Sequence, residues 1–317
     1  MENEIVCKYC HSDNVIKFGT QKGTQQYYCK DCGRKFGNTD TIPMMQTPTD
    51  QIASSLNMYY EGMSLNEIRR NLIQQHDNPI SDVTALNWVR RFTEFAVKEA
   101  DKHKPKVGDL WVADETVIDI DGKNIWFWDI IDTKTRFLIA SHMSFSRTTK
   151  DAQKLMEKAY KHTGKYPRVI YTDKLQAYLD GIELTFGAET KHSQGSPFDI
   201  ENNTNMIERF HGTIKERTKV MRGLHTIDTA RDFMNGWLIH YNFFRPHMSL
   251  DDKTPAEVAG ITFPFKNWKE VVEQPYEITA RIEVMPREPR TYKSVVKRKP
   301  KTRGKKKITP SVMVLKR

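Results

Sequence analysis

All four cysteines of the chain fall within its first 32 residues, as Cys7-x2-Cys10 and Cys29-x2-Cys32, with 18 residues between the pairs. Two such pairs at this spacing are the ligand pattern of a zinc ribbon, in which four thiolates close a tetrahedron around one structural Zn²⁺. No hydrophobic pattern constrains the amino end as tightly, because a segment of about 40 residues has too little core to fold unaided. Residues 1–40 are therefore expected to be a ribbon held by Cys7, Cys10, Cys29 and Cys32. Disulfides are the poorer alternative in a cytosolic chain, and a redox pair would need a single such motif in a βαβ setting. Gly33 permits positive φ in the second knuckle, and Tyr27, Tyr28 and Phe36 can cover the small core. His11 reads as an exposed polar residue, since four thiolates already complete the coordination.

From 47 to 103 the apolar period is helical. Ile52, Leu56, Tyr59 and Tyr60 recur at spacing three and four; Gly62 closes that helix, and Ser64-Leu65-Asn66-Glu67 has the form of a capping box for a second, with Ile68, Leu72 and Ile73 on its apolar face. Asn78-Pro79 breaks it, and Ser81 can cap a third helix with Val83, Leu86, Val89 and Phe92 in register. Short helices joined by brief turns resemble a helix-turn-helix unit that binds DNA, with Arg69, Arg70, Arg90 and Arg91 as phosphate contacts. A small helical bundle serving only as a linker is the alternative.

Between 107 and 262 the period changes to two. Strands are expected over 110–120, 125–131 and 137–144, with Asp121-Gly122 as a hairpin turn. Thr148 can cap a helix carrying Ala152, Leu155, Met156 and Ala159, which Gly164 stops. A buried strand over 168–172, a small helix over 174–179, a strand near 184–186 and a long helix from Asn205 complete the order βββαβαβα. That order implies an α/β fold with the mixed sheet of an RNase H-like core. The chain has no GxGxxG or GxxxxGK[ST] loop, so a nucleotide cofactor is not expected.

Charge separates the remaining segment, 263–317. The chain carries 50 basic and 40 acidic residues, net +10, yet residues 287–317 alone hold 13 bases against one acid, Glu288. Such a run reads as a disordered arm that follows polyanions by counterion release; a solubilising tail is the bland alternative. No apolar run reaches the roughly 18 residues of a membrane span, and MENEIVCKYC has neither the basic nor the apolar region of a secretory signal. A cytoplasmic location without membrane association is the expectation.

Three acids stand where this fold would let them converge: Asp114 in the middle of the first core strand, Asp173 directly after the fourth, and Glu208 early in the long helix. Hard oxygen ligands bind Mg²⁺ or Mn²⁺, and two such ions suit an in-line displacement at phosphorus. Strand phase places Asp114 on the face of Leu110, Val112, Thr116 and Ile118, with Glu115 on the other. On the helix, Ile207, Phe210, Ile214 and Met221 form an apolar stripe, while Glu208 lines up with His211, Lys215, Lys219 and Arg222. Taken singly each acid has an ordinary explanation, such as an N-cap for Asp173.

The segments Val112-Ala113-Asp114-Glu115-Thr116, Tyr171-Thr172-Asp173-Lys174 with Ala177-Tyr178, and Asn205-x2-Glu208-Arg209-Phe210-His211 resemble the three catalytic blocks of DDE transposases and integrases. The second gap, 34 residues, and Lys215 seven residues after the Glu are similar to insertion sequence six family transposases. The run from His240 to His247, HYNFFRPH, with Leu250, and Thr254-Pro255-Ala256-Glu257 resemble the segment that closes integrase cores. The resemblance implies hydrolysis at the ends of a mobile element, releasing 3′-hydroxyls that attack target DNA. It further implies that Asp114, Asp173 and Glu208 hold the two ions, that Lys215 binds a terminal phosphate, and that a homo-oligomer acts on paired terminal inverted repeats. Two other readings stay open: a non-catalytic DNA-binding regulator, and an RNase H-like nuclease without strand transfer.

Overall fold

Three helices follow the amino-terminal segment because three sets of start and stop signals are met. In a computed structural model describing residues 5–39, 41–42, 45–120, 122–194, 205–219 and 226–274, these are α1 (Thr49–Glu61), α2 (Leu65–His76) and α3 (Asp82–Ala100). Gly62 ends α1 at φ 124°, and Ser64 and Glu67 form the reciprocal capping box of α2. Ser81 caps α3 through the Thr84 N–H at 3.0 Å. The buried face of α3 is Ala85, Trp88, Val89, Phe92, Thr93 and Ala96, whereas Val83 is 59% exposed. The stripe thus starts one turn later than the sequence suggests, because Val83 lies in the first turn, beyond the packed neighbours. The tail 287–317, Met221, Arg222 and the turn residue Asp121 lie outside the described residues.

The amino end is a three-stranded antiparallel sheet, β1 (Val15–Gln21), β2 (Thr24–Cys29) and β3 (Lys35–Gly37). Its own small core is Cys7, Tyr27, Cys29 and Phe36, with Tyr27 and Phe36 rings stacked at 5.7 Å.

The central sheet has the order β6-β5-β4-β7-β8, from β4 (Leu110–Ile120), β5 (Lys123–Asp132), β6 (Leu138–Ser144), β7 (Val169–Thr172) and β8 (Lys191–Gln194). β4, β5 and β6 are antiparallel, and β4, β7 and β8 are parallel. Helix α4 (Thr149–Thr163) precedes β7, α5 (Gln176–Phe186) precedes β8, and α6 (Asn205–Lys219) follows it. This is the expected βββαβαβα order. Two local readings are corrected: 184–186 is the last turn of α5, not a strand, and the helix expected over 174–179 runs from Gln176 to Phe186. The edge strand is instead Lys191–Gln194, whose sequence KHSQ has no apolar period to announce it.

Both faces of the sheet are covered, so β5 is buried at nearly every position past Ile125 rather than at alternate ones. Trp128 packs on Tyr178 of α5 at 5.5 Å, and the next residue, Asp129, meets His211 of α6, which puts α5 and α6 on opposite faces. Gly181 lets α5 lie directly against α4, since a Cβ there would stand 2.9 Å from Ala152 Cβ.

Helix α7 (Ile227–Ile239) packs on α3 and runs into a π-helical turn at His240–Phe244, in which the Arg245 N–H reaches the His240 carbonyl at 2.9 Å. Asn242 bonds both backbone groups of Leu138 at the start of β6, at 2.9 and 3.0 Å. Two short helices, α8 (Pro255–Val258) and α9 (Trp268–Glu273), close the fold, with α9 against α1. No helix among the described residues is long and apolar enough to cross a membrane.

Candidate active site

The parallel pairing of β4 with β7 couples Leu110 to Val169, Trp111 to Ile170 and Val112 to Tyr171. Continued by two residues, that register sets Asp114 beside Asp173, which directly follows β7 and opens the turn into α5. A 58-residue gap in sequence is thereby closed by backbone pairing alone. Asp173 Oδ1 accepts the Leu175 N–H at 2.8 Å, which fixes the turn.

Asp114 faces α6. Its antiparallel partner on β5 is Asp129, fully buried, and two acids side by side across a ladder repel. His211 relieves this: its Nε2 donates a close hydrogen bond to Asp129 Oδ2, and its Nδ1 lies 3.4 Å from Asp114 Oδ2. Only the imidazolium offers a donor on both ring nitrogens. Burial lowers the basicity of His211, but Asp129 and then Asp114 outweigh it and raise its pKa. Burial pushes Asp114 up to about 7, with Glu115 and Asp129 adding to the shift and His211 opposing it. Asp129 rises to about 6 for the same first reason.

Glu115 faces the other side, as its strand phase requires, and is 9% exposed. Arg147 makes a very close ion pair with Glu115, lies 3.4 Å from Asp173 Oδ2, and stacks over the Trp126 ring at 4.8 Å. Burial raises the Glu115 pKa, with the Asp173 charge adding to it. Each offering one oxygen, Asp114, Glu115 and Asp173 lie within 4.8 Å of one another. Glu208 is exposed in the first turn of α6 and stands outside that group.

The donor set fits a divalent cation. Three carboxylates converge, and Asp129 Oδ1, on the ladder partner of Asp114, is buried with no hydrogen-bond partner. The amino-terminal cysteines fit Zn²⁺ equally well. Cys7 and Cys32 Sγ are 3.6 Å apart, Cys10 and Cys29 Sγ are 3.5 Å apart, and all four lie within 4.8 Å. A tetrahedron with Zn–S near 2.3 Å has edges of about 3.8 Å. Backbone N–H groups of Cys32 and Asp31 help hold the Cys29 thiol down at about 7, despite the opposing effect of burial.

Of the bases read as DNA contacts, Lys215 and Lys219 are exposed on α6 and Arg90 is exposed on α3, while Arg91 is half-buried with its guanidinium 5.9 Å from the Phe92 ring. Arg222 lies outside the described residues. His211 departs from the row it was grouped with: it is 6% exposed and points inward. Asp129 and Arg147, neither singled out in the sequence, are the partners that organise the acids. The His at three residues past Glu208 was the available signal for one of them, but its partner lies 82 residues away.

The family model DDE_Tnp_IS240, described as a DDE domain, matches residues 108–247. No curated protein matches the chain. Among solved structures, the HTLV-2 integrase catalytic core domain in complex with magnesium covers 49% of this chain and 97% of its own, at 19% identity and a TM-score of 0.39. The simian T-cell lymphotropic virus intasome in complex with PP2A regulatory subunit B56 gamma covers 68% and 77%, at 15% identity and a TM-score of 0.40. The acids gather where the matched segment brings β4 and β7 together, and residues 108–247 carry a DDE domain.

Proposed function

We propose that the chain is a DNA transposase that binds the terminal inverted repeats of a mobile element, cleaves to free 3′-hydroxyls and joins them to target DNA. The observation that carries this reading is the convergence of Asp114 and Asp173 through the β4–β7 register inside the DDE domain. Asp114, Asp173 and Glu208 are the ligands assigned to the divalent ions, with Glu115 close enough to share the load. Two Mg²⁺ or Mn²⁺ ions bound there would supply a Lewis-acid clamp on the attacking and leaving oxygens at phosphorus.

The chain's own residues do the positioning. His211, anchored by buried Asp129, fixes the Asp114 carboxylate and ties α6 to the sheet, which sets where Glu208 stands. Arg147 holds Asp173 and Glu115 from the opposite side. Lys215 and Lys219, which follow Glu208 along α6, and Arg222, which lies outside the described residues, are assigned to the phosphates of the bound end, with Lys215 at the terminal phosphate. Recognition of the repeats is assigned to the zinc ribbon and the α1–α3 region with Arg90 and Arg91. The assembly is proposed to be a homo-oligomer that pairs two ends.

The test incubates purified protein with an inverted-repeat end, a target plasmid and Mg²⁺ or Mn²⁺. Joined products support the proposal. Cleavage without joining would favour a nuclease, and binding without either would favour a regulator.

A further inference from the structure

A groove of about 400 Å³ lies on the far side of α6 from the acids' ladder, and its lining is basic and aromatic without a single carboxylate. Three arginines enter it from three separate elements: Arg136 from the β5–β6 turn, Arg209 from α6, and Arg245 from the end of the π-helical turn. None of the three makes an ion pair with any described residue. Phe210 and Tyr241 form the floor, their rings 5.1 Å apart and edge-on. Glu208, beside Arg209, and Asp251 and Asp252, shortly after Ser249, are exposed and outside the lining.

Two features show that the arginines are held there rather than scattered. Arg136 has φ 60°, a left-handed conformation that Gly or Asn adopts far more readily than Arg. It is kept so by fully buried Asp132, whose Oδ2 accepts the Thr135 N–H at 2.9 Å and Oγ1 at 2.6 Å and whose Oδ1 accepts the Gly108 N–H at 3.0 Å. The Arg136 N–H in turn donates to the Asp132 carbonyl at 3.0 Å. A strained backbone at an arginine points to a use for its side chain. Secondly, His247 lines the groove with a buried Nε2 that has no hydrogen-bond partner, its ring edge-on to Tyr241 at 4.7 Å. Burial lowers the pKa of this imidazole, a hydrogen bond to the Tyr241 backbone opposes the shift, and Arg245 and Arg136 add to it.

We propose that Arg136, Arg209 and Arg245 form a binding site for the phosphodiester backbone of DNA, separate from the Asp114–Asp173 centre. Guanidinium groups suit phosphate oxygens because their paired N–H donors match two of them at once. Arg209 is the residue after Glu208, so a strand held in this groove is tethered to the helix that carries the third acid. The site rests on the transposase reading, in that its ligand is DNA, but it assigns residues and a location that reading does not require.

The test uses the full chain and a fluorescein-labelled blunt duplex of random sequence, titrated at several salt concentrations. For Arg136→Asn combined with Arg245→Gln, the slope of log affinity against log salt should become shallower by about two units, from roughly 0.9 per phosphate contact. The charge-matched pair Arg168→Gln with Lys191→Gln, exposed bases at the amino ends of β7 and β8, should change it far less. Arg245→Lys should retain most of the slope. Arg136→Asn alone should melt at the same temperature or higher, since Asn relieves the backbone, while still weakening DNA binding. An unchanged slope in the double variant with normal binding by the parent would overturn the groove and leave the transposase reading intact. Equal losses in the control pair, or a lower melting temperature for Arg136→Asn, would likewise overturn it. Absence of DNA binding by the parent chain would sink both.

Discussion

Replacing Arg217 by Met should make the protein more stable. Arg217 projects from α6 into the space between α1 and α7, where it is 3% exposed, and its Nε, Nη1 and Nη2 have no hydrogen-bond partner. What it does have is two aromatic faces, the Tyr59 ring 4.5 Å and the Phe233 ring 5.2 Å from its Cζ. Desolvated cation–π contacts contribute about 2 kcal/mol each, so about 4 kcal/mol favours the arginine. Against this stand a desolvation cost of several kcal/mol for a buried ion and about 1–3 kcal/mol for each buried donor left unmade. With three such nitrogens the costs win, and exchange of unpaired buried charge for an apolar side chain of similar length should gain about 2 kcal/mol. Burial lowers the Arg217 pKa, which agrees with that sign. For a unit of this size a gain of about 2 kcal/mol raises the melting midpoint by about 4–8 °C. Calorimetry on the full chain reads it directly, with Arg217→Lys as a control that keeps the charge, loses the planar stacking and should melt lower than the parent. A midpoint for Arg217→Met below the parent's would refute the reasoning and mean that the two aromatic contacts outweigh desolvation.

The other predictions concern metal, acids and pH. Protein purified without chelator should carry one zinc per chain, and stripping it should unfold the ribbon, since structural zinc contributes on the order of 10–16 kcal/mol and the ribbon core is only Cys7, Tyr27, Cys29 and Phe36; metal analysis without zinc ends the idea. Asp114→Asn, Asp173→Asn and Glu208→Gln should each abolish cleavage and joining while sparing binding to end DNA, because ligands that act as a unit fail together. Near-normal joining by any one of them removes that residue from the ligand set. Asp151 is buried and its pKa is lowered: burial opposes the shift, but hydrogen bonds from Thr148 and Ser146 outweigh it. A carboxylate depressed in the fold stabilises above its unfolded value of about 3.9 and loses that contribution as pH falls through the folded value. Asp151→Asn should therefore cost about 1.5–3 kcal/mol at neutral pH, with the gap to the parent closing below about pH 4, as acid titration of the melting curve would show.

The sequence was most legible where a signal is local. The capping box at Ser64, the cap at Thr148, the stops at Gly62 and Gly164 and the apolar stripes of α1 and α4 all stand where the residues place them. The true end of α5 lies beyond Gly181, an interior glycine required by the close approach of α4, and that packing is not written in the local sequence. β8 was missed at its true position because a polar edge strand is held by ladder hydrogen bonds to β7, which leave no trace in KHSQ. At the site, Asp114 and Asp173 follow from strand positions that the sequence does reveal. The inward turn of His211 does not, since a helical wheel cannot show that a buried acid on β5 awaits it.

The π-helical turn at His240–Phe244 has a consequence for the length of the chain as well as its composition. A π turn holds one residue more than the α turn it replaces, so α7 behaves like a helix into which a single residue has been inserted. Deleting one residue between Tyr241 and Phe244 would convert the five-residue loop closed by the Arg245 N–H and the His240 carbonyl into a four-residue α turn and leave the chain beyond it in nearly the same orientation. Taken out ahead of Asn242, the deletion would turn that side chain by about 100° off the Leu138 backbone, whereas a deletion after it would spare the contact. This stretch should therefore tolerate the loss of one residue after Asn242 more readily than a regular α-helix tolerates the same deletion.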